Sequence, residues 1–434
     1  MKRSTFGYWI LLSTSALLPA AELPKQNVTF HKDVLPILQN RCQECHRAGE
    51  IAPMPFLTYQ QVRPWAKSIR ESVATRKMPP WFANPQFGHF ANDRSLSAQE
   101  VATLTAWVDG GAREGNPKDA PAPRTFVDGW NIPKPDRIIE MPNAIQIPPK
   151  DELPYQYVVL PTGFTEDKWI QAVEIRPSNH KVVHHVVAFI RPPESNWLRG
   201  EAEPGIAYVP PKTDSRGSRR LDLGGNGNTP LVFYAPGQIP EIWKQGIAKR
   251  VPAGSDLVLQ IHYTADGQPE TDRIKVGMVF AKETPEQTSL GLAAVNVFFK
   301  IPAGDPDYVT HGSLTLPNGG TILSFFPHMH LRGKSFEYKA FYPTGESETL
   351  LKVDNYNFNW QLSYKLEKPV TVPPGTKIEV TARFDNSPNN PRNPDPKVDV
   401  RFGEQSWEEM VVGYFDVLTP SDMSLRRFMT KKAD

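Results

Sequence analysis

The stretch Phe326-Pro327-His328-Met329-His330-Leu331-Arg332-Gly333-Lys334 sets two imidazoles two residues apart, directly after an apolar and β-branched run at 321–326. Such a run predicts a buried strand, and residues i and i+2 of a strand share a face. His328 and His330 therefore point the same way. Together they make half of a transition-metal site, because neutral imidazole suits copper, zinc, iron and nickel alike. Two half-buried, hydrogen-bonded histidines would have the same spacing. Three further histidines bear on the choice. His184 and His185 sit in Lys181-Val182-Val183-His184-His185-Val186-Val187-Ala188-Phe189, again a strand by propensity. Adjacent side chains on a regular strand face opposite ways, so both reach one metal only at a bulge or a strand end. His262, in Leu257-Val258-Leu259-Gln260-Ile261-His262-Tyr263, shares a face with Gln260 and taken alone reads as a core histidine.

A second chemistry is written in Cys42-Gln43-Glu44-Cys45-His46, which holds both cysteines of the chain. Two thiols at this spacing with an adjoining histidine form the c-type haem attachment signature. The thiols add across the porphyrin vinyl groups, and His46 is aimed at the iron. A redox dithiol or half a zinc site competes with this reading, but the adjacent His46 and the lack of further cysteines disfavour it. Three residues are candidates for the opposite axial position. Met78, in Arg76-Lys77-Met78-Pro79-Pro80-Trp81, is preferred, because the prolines exclude a helix interior and present the thioether from an extended loop. Met54 lies close in sequence to His46, which leaves little chain to cross to the other haem face. His89 would give a bis-histidine iron.

The elements that must position these groups are legible in outline. A length of 434 residues suits about three domains, and a net charge of +2 from 49 basic and 47 acidic residues gives no electrostatic case for nucleic acid. Met1-Lys2-Arg3, an apolar run at 6–18 and the small residues Pro19-Ala20-Ala21 read as a secretory leader over 1–21. The run is shorter than the ~20 residues of a membrane-spanning helix. A periplasmic or secreted protein with no membrane span after cleavage is expected. Ser97-Ala98-Gln99-Glu100 is a capping box opening a helix that Gly110-Gly111 stops, and residues 31–42 supply an earlier helix with Val34, Leu35 and Leu38 on its buried side. Residues 27–114 are thus expected as a small all-α cytochrome c domain.

Prolines recur through 115–154, which reads as a semi-rigid linker. Beyond it, short apolar runs separated by Pro and Gly, among them 360–364, predict two β-sandwiches, at 155–285 and 286–425. Val251-Pro252-Ala253-Gly254-Ser255 echoes Val372-Pro373-Pro374-Gly375-Thr376, each a turn feeding a strand. No cysteine remains for a thiolate metal site in this region, and there is no His-Glu-x-x-His helix.

The double histidine at 184–185, Leu-Gln-Ile-His-Tyr at 259–263, the His-x-His segment and Trp407-Glu408-Glu409-Met410 together resemble the four signatures of the copper type II, ascorbate-dependent monooxygenases, the group of the peptidylglycine α-hydroxylating and dopamine β-monooxygenases. With the haem segment in front, residues from about 30 to 420 are similar to bacterial cytochrome-fused members. The resemblance implies two jelly-roll-like copper sandwiches. It implies an electron-transfer copper held by His184, His185 and His262, and an oxygen-activating copper held by His328, His330 and Met410. The thioether suits a copper cycling between its two redox states.

The resemblance further implies two copper ions and one haem c per chain, and an open, water-filled cleft between the coppers. O2 and a small organic substrate would meet at the second copper, where two electrons and O2 convert C–H to C–OH. Tyr414 matches a tyrosine that contacts substrate in the peptide-hydroxylating member. Phe326 stands where that member carries a carboxylate-binding arginine, which favours an apolar substrate. The external electron donor would be ascorbate or a redox protein, with the fused haem competing for that role. Two other readings stay open: a non-catalytic electron-transfer or copper-binding cytochrome fusion, and a zinc hydrolase on the same strands.

Overall fold

In a computed structural model, residues 27–127, 129–150, 153–210 and 228–430 are described; the leader lies outside them. The helical unit forms first. Ser97 Oγ accepts the Glu100 N–H at 3.1 Å and the Glu100 carboxylate accepts the Ser97 N–H at 2.7 Å, a reciprocal cap worth about 1 kcal/mol. The helix Ala98–Asp109 that follows buries Leu104 and Trp107. It packs on the helix Ala66–Ala74, while Leu38 of the helix Leu35–Arg41 joins the same apolar core with Phe30 and Val62.

The rest of the chain is mostly β. One four-stranded sheet runs in the order Gln156–Pro161, Asp256–Tyr263, Val183–Arg191, Thr229–Tyr234. Every residue of Val183–Arg191 is buried, as expected of a central strand covered on both faces. Against it lie Arg137–Glu140, Ile274–Phe280, Lys168–Pro177 and Ile247–Val251, with Val158, Ile170, Val186, Leu259 and Val276 between the layers. Arg137–Glu140 and Ile145–Ile147 belong to the proline-rich stretch read as linker. In the structure they pair with Ile274–Phe280 and Glu270–Asp272, because Ile139, Met141 and Ile147 complete this core.

The second sandwich sets Tyr308–Leu316, Thr376–Phe384, Gly333–Phe341 and Ser347–Val353 side by side. Thr376–Phe384 alternates between buried and less buried residues, the period of a half-covered strand. Gly320–His328 is held between Tyr364–Val372 and Val411–Pro420, and the last of these pairs with Gln287–Asn296 along its length. Parallel pairing of Gln287 and Thr288 with Ile247 and Ala248 makes the sheet continuous across both sandwiches.

Two findings depart from the sequence reading. Residues 360–363, expected as strand, are irregular, since the chain turns at 358–359, with the Trp360 N–H donating to the Asn357 carbonyl, before Tyr364 enters the sheet. The segment after Met78 is also not a free loop of the helical unit. Ala83 bridges to Val353 and Phe90 to Leu366, and Trp81 and Phe90 pack into the core of the second sandwich. Gly88 makes this docking possible: its φ is +72°, and a Cβ there would lie 2.6 Å from the Leu350 carbonyl oxygen.

Candidate metal centres

Pairing between Val183–Arg191 and Asp256–Tyr263 runs in register from Arg191 to His185, opposite His262, and then slips between Val183 and His185. His184 is the extra residue of that bulge, and the bulge lets two consecutive histidines turn to one side. His184, His185 and His262 are all buried, and one ligand nitrogen from each lies within 4.8 Å of the others.

The hydrogen bonds engage the outward nitrogens. His184 Nε2–H donates to the Phe358 carbonyl at 3.0 Å, while His185 Nε2 is hydrogen-bonded to the Tyr155 hydroxyl at 3.0 Å and His262 Nε2 to the Ser406 hydroxyl at 2.8 Å. The three Nδ1 atoms are left. Those of His184 and His185 are 3.0 Å apart, and that of His262 is buried without a protein partner. With each Nε2 engaged by a neighbour, the three converging Nδ1 atoms form a donor set that fits a metal ion. Outward N–H bonds of this kind fix tautomer and ring orientation.

A second group lies on Gly320–His328 and its continuation. His328 Nδ1–H donates to Gln361 Oε1 at 2.6 Å and His330 Nδ1–H to the Glu408 carbonyl at 3.2 Å, leaving both Nε2 atoms; that of His330 is buried and unpartnered. In the antiparallel register Phe326 faces Tyr414 and His328 faces Val412, and Met410 comes two residues before Val412, just outside the paired strand. Met410 is buried with Phe326, Val412 and Tyr414 on that face. Two imidazole nitrogens and a thioether form a soft donor set that suits copper.

Glu409 locks this arrangement. Its carboxylate accepts the backbone N–H groups of His330 at 2.9 Å and Arg332 at 2.6 Å, joining the two segments that carry the donors. Burial raises its pKa to about 8 against those hydrogen bonds. Burial also lowers His184 and His328 to about 4, and His185, His262 and His330 well below their ordinary value. All five imidazoles are therefore neutral at pH 7, the state that binds metal.

The two groups are not separated by an open cleft. The His185 and His328 rings touch at 5.4 Å between centroids, and Phe358 packs on His184 at 4.1 Å. Above them Phe233 of the first sandwich stacks on Phe326 at 4.5 Å and leans on Tyr414 at 5.0 Å. Phe233, Phe358, Gln361, Ser406 and Glu409 were not singled out from the sequence. Only Glu409 lay inside a recognised segment.

In the helical unit, Cys42, Cys45, His46, Met54 and Met78 border one largely apolar cavity of about 440 Å³. His46 Nδ1–H donates to the Met54 carbonyl at 3.1 Å and its ring stacks on Phe56 at 4.1 Å, so Nε2 is the nitrogen left. Met54 thus belongs to the His46 wall. His89 lines a neighbouring cavity that Met78 also borders. Burial raises the Cys42 thiol to about 12 and raises Cys45 as well, so neither is a ready thiolate for zinc.

Fold and side chains together define a double β-sandwich protein with buried histidine groups able to hold metal ions where the sandwiches meet. Residues 309–424, which include His328, His330, Met410 and Tyr414, match the family description "Copper type II ascorbate-dependent monooxygenase, C-terminal domain". DBH-like monooxygenase protein 1 of Mus musculus is 29% identical over 101 residues, 21% of this chain and 16% of that protein. The Gallus gallus protein of that name is 31% identical over 96 residues, 19% of this chain and 16% of its own length. The chain thus spans about one sixth of the length of these relatives, and its similarity to the copper type II ascorbate-dependent monooxygenase family lies in residues 309–424.

Proposed function

We propose that the chain is an exported, haem-linked copper monooxygenase that hydroxylates a C–H bond of a small apolar substrate with O2 and two electrons. The observation that carries the reading is the second donor set: a buried His330 Nε2 that has no protein partner, with Met410 buried on the neighbouring segment that Glu409 ties to His330. Copper held there by His328, His330 and Met410 would supply O2 activation, and copper held by His184, His185 and His262 would supply electrons. The chain's own residues do the rest. Gln361 and the Glu408 carbonyl orient the two imidazoles with Nε2 inward, and burial keeps them neutral. Glu409 sets the spacing of the two donor-bearing segments. Phe326, Phe233 and Tyr414 exclude water from the face beside Met410 and present an apolar surface to substrate.

The haem reading rests on Cys42, Cys45, His46 and Met78 meeting at one cavity wide enough for a flat apolar group. A haem there would supply single electrons, with ascorbate or a redox protein as the external donor. The test is O2 uptake by copper-loaded protein with reductant and a panel of apolar substrates, with mass spectrometry for one added oxygen atom. Coupled oxidation of a panel member supports the reading. Copper and haem bound at full occupancy with no coupled oxidation would favour a non-catalytic electron-transfer protein.

A further inference from the structure

The turn between the strands Ser347–Val353 and Tyr364–Val372 touches all three proposed centres. Trp360 borders the cavity that holds Cys42, Cys45 and His46. Two residues earlier, the Phe358 ring stacks on His184 and its carbonyl accepts the His184 Nε2–H at 3.0 Å. The same carbonyl accepts Gln361 Nε2–H at 3.4 Å, and Gln361 Oε1 accepts His328 Nδ1–H at 2.6 Å. An unbroken path of covalent and hydrogen bonds therefore leads from Trp360 to an imidazole of each metal group.

The turn is held rigidly. The Tyr356 hydroxyl donates to the Met329 carbonyl at 2.8 Å and accepts the Met329 N–H at 3.0 Å, which pins the turn to the His-Met-His segment. Gln238 of the first sandwich clasps Ser363 by two bonds, at 2.6 and 2.9 Å. Trp360 itself lies over Gly237, where a Cβ would come within 3.0 Å of the indole; Arg94, another wall of the cavity, donates to the Gly237 carbonyl at 2.7 Å.

Resting on the haem and copper assignments proposed above, we infer that residues 358–361 are the electron conduit, with Trp360 as its entrance. Each event moves one electron from ferrous haem to a cupric ion at the first histidine group, leaving ferric haem and cuprous copper. No bond is made or broken and no proton moves, because the imidazoles are already neutral. An external one-electron donor re-reduces the haem. The Phe358–Gln361–His328 hydrogen bonds extend the path to the second group. Electronic coupling falls off more slowly along covalent and hydrogen bonds than across gaps, so removing the indole should slow transfer.

The experiment uses the full chain with haem attached and copper loaded. The oxidised protein is mixed anaerobically with less than one electron equivalent of dithionite, and the reduced haem band is followed as the electron passes to copper. Haem content by pyridine haemochrome and copper content by metal analysis are measured for every variant. Wild type should show rapid decay of the band, Trp360→Ala should slow it by about tenfold, the rate equivalent of about 1.4 kcal/mol, and Trp360→Phe should recover much of the rate. Equal rates in all three proteins, with both cofactors present, would overturn the conduit. Absence of the haem bands would overturn the cytochrome reading itself and the inference with it.

Discussion

The imidazole rings of His185 and His328 meet edge to face, 77° apart in plane and 5.4 Å between centroids, although they come from different sandwiches. Ser406 and Phe358 of the second sandwich also hold His262 and His184 of the first. The first group of donors is therefore built partly by the other half of the chain. Two cupric ions held in such neighbouring groups would couple magnetically. The oxidised, fully copper-loaded protein is expected to give a dipolar-broadened EPR spectrum. A spectrum of two isolated cupric ions would mean that the halves separate when metal binds.

Met410→Ala removes the thioether and leaves both imidazoles of its group in place. Hydroxylation should fall to background, X-ray absorption of the reduced protein should lose its sulfur scatterer, and the haem spectrum should stay as in wild type. Full activity in this variant would take Met410 out of the site.

Glu409→Gln keeps the size of the side chain but replaces one acceptor oxygen with an amide facing a backbone N–H. Either the His330 or the Arg332 amide loses its partner. Outer residues that orient metal ligands typically change affinity by about 10- to 100-fold when replaced. Titration with a competing chelator should show one of the two copper ions bound that much more weakly, with the other unchanged.

The metal-free protein should lose stability in acid over a defined window. His184 and His328 bind protons only near pH 4 when folded, against about 6.5 when exposed in the unfolded chain. Between those values the unfolded state binds more protons, so stability falls as the pH drops from about 6.5, and the share of these two residues in the loss levels off below about 4. Each of the two contributes on the order of 3 kcal/mol over the full window. Urea midpoints of the copper-stripped protein from pH 7.5 to 4 would show this slope. A midpoint constant with pH would mean that these imidazoles are exposed once metal is removed.

The sequence made the strand pairs and the donor histidines legible for simple reasons. An apolar and β-branched run marks Gly320–His328 as a strand, and spacing by two residues puts His328 and His330 on one face. The bulge at His184 was legible only as a condition, because a one-residue slip between paired strands leaves no mark in the sequence of either strand. Residues 360–363 were misread as strand: Trp360 and Leu362 have the composition of one, and their partners, the cavity wall at Cys45 and the second-sandwich core, are hundreds of residues apart in the chain. Contact between the two histidine groups was invisible for a related reason. It depends on how two sandwiches dock, and docking is decided by the sum of many weak contacts with no motif of its own.

Phe90 tests whether the helical unit and the second sandwich are one cooperative structure. It comes from the segment after Met78 but is only 9% exposed, inside the core that also holds Tyr364 and Leu350. Its ring meets Tyr364 at 5.5 Å and Trp81 at 6.0 Å, and the flanking Ala91 N–H donates to the Lys365 carbonyl at 2.8 Å. Phe90→Ala would leave a cavity in that core, at a cost of about 3–5 kcal/mol. Since Trp81 and the backbone bonds of the same segment depend on the ring's packing, part of that cost should appear as local release of residues 81–94. The expected result is a lower thermal midpoint, new protease cleavage within that segment under native conditions, and slower electron passage from haem to copper. Leu57→Ala, at a position 36% exposed on the helical unit, should change stability by no more than about 0.5 kcal/mol and leave the cleavage pattern unaltered. Were Phe90→Ala as stable as Leu57→Ala, the segment would not be part of the second core.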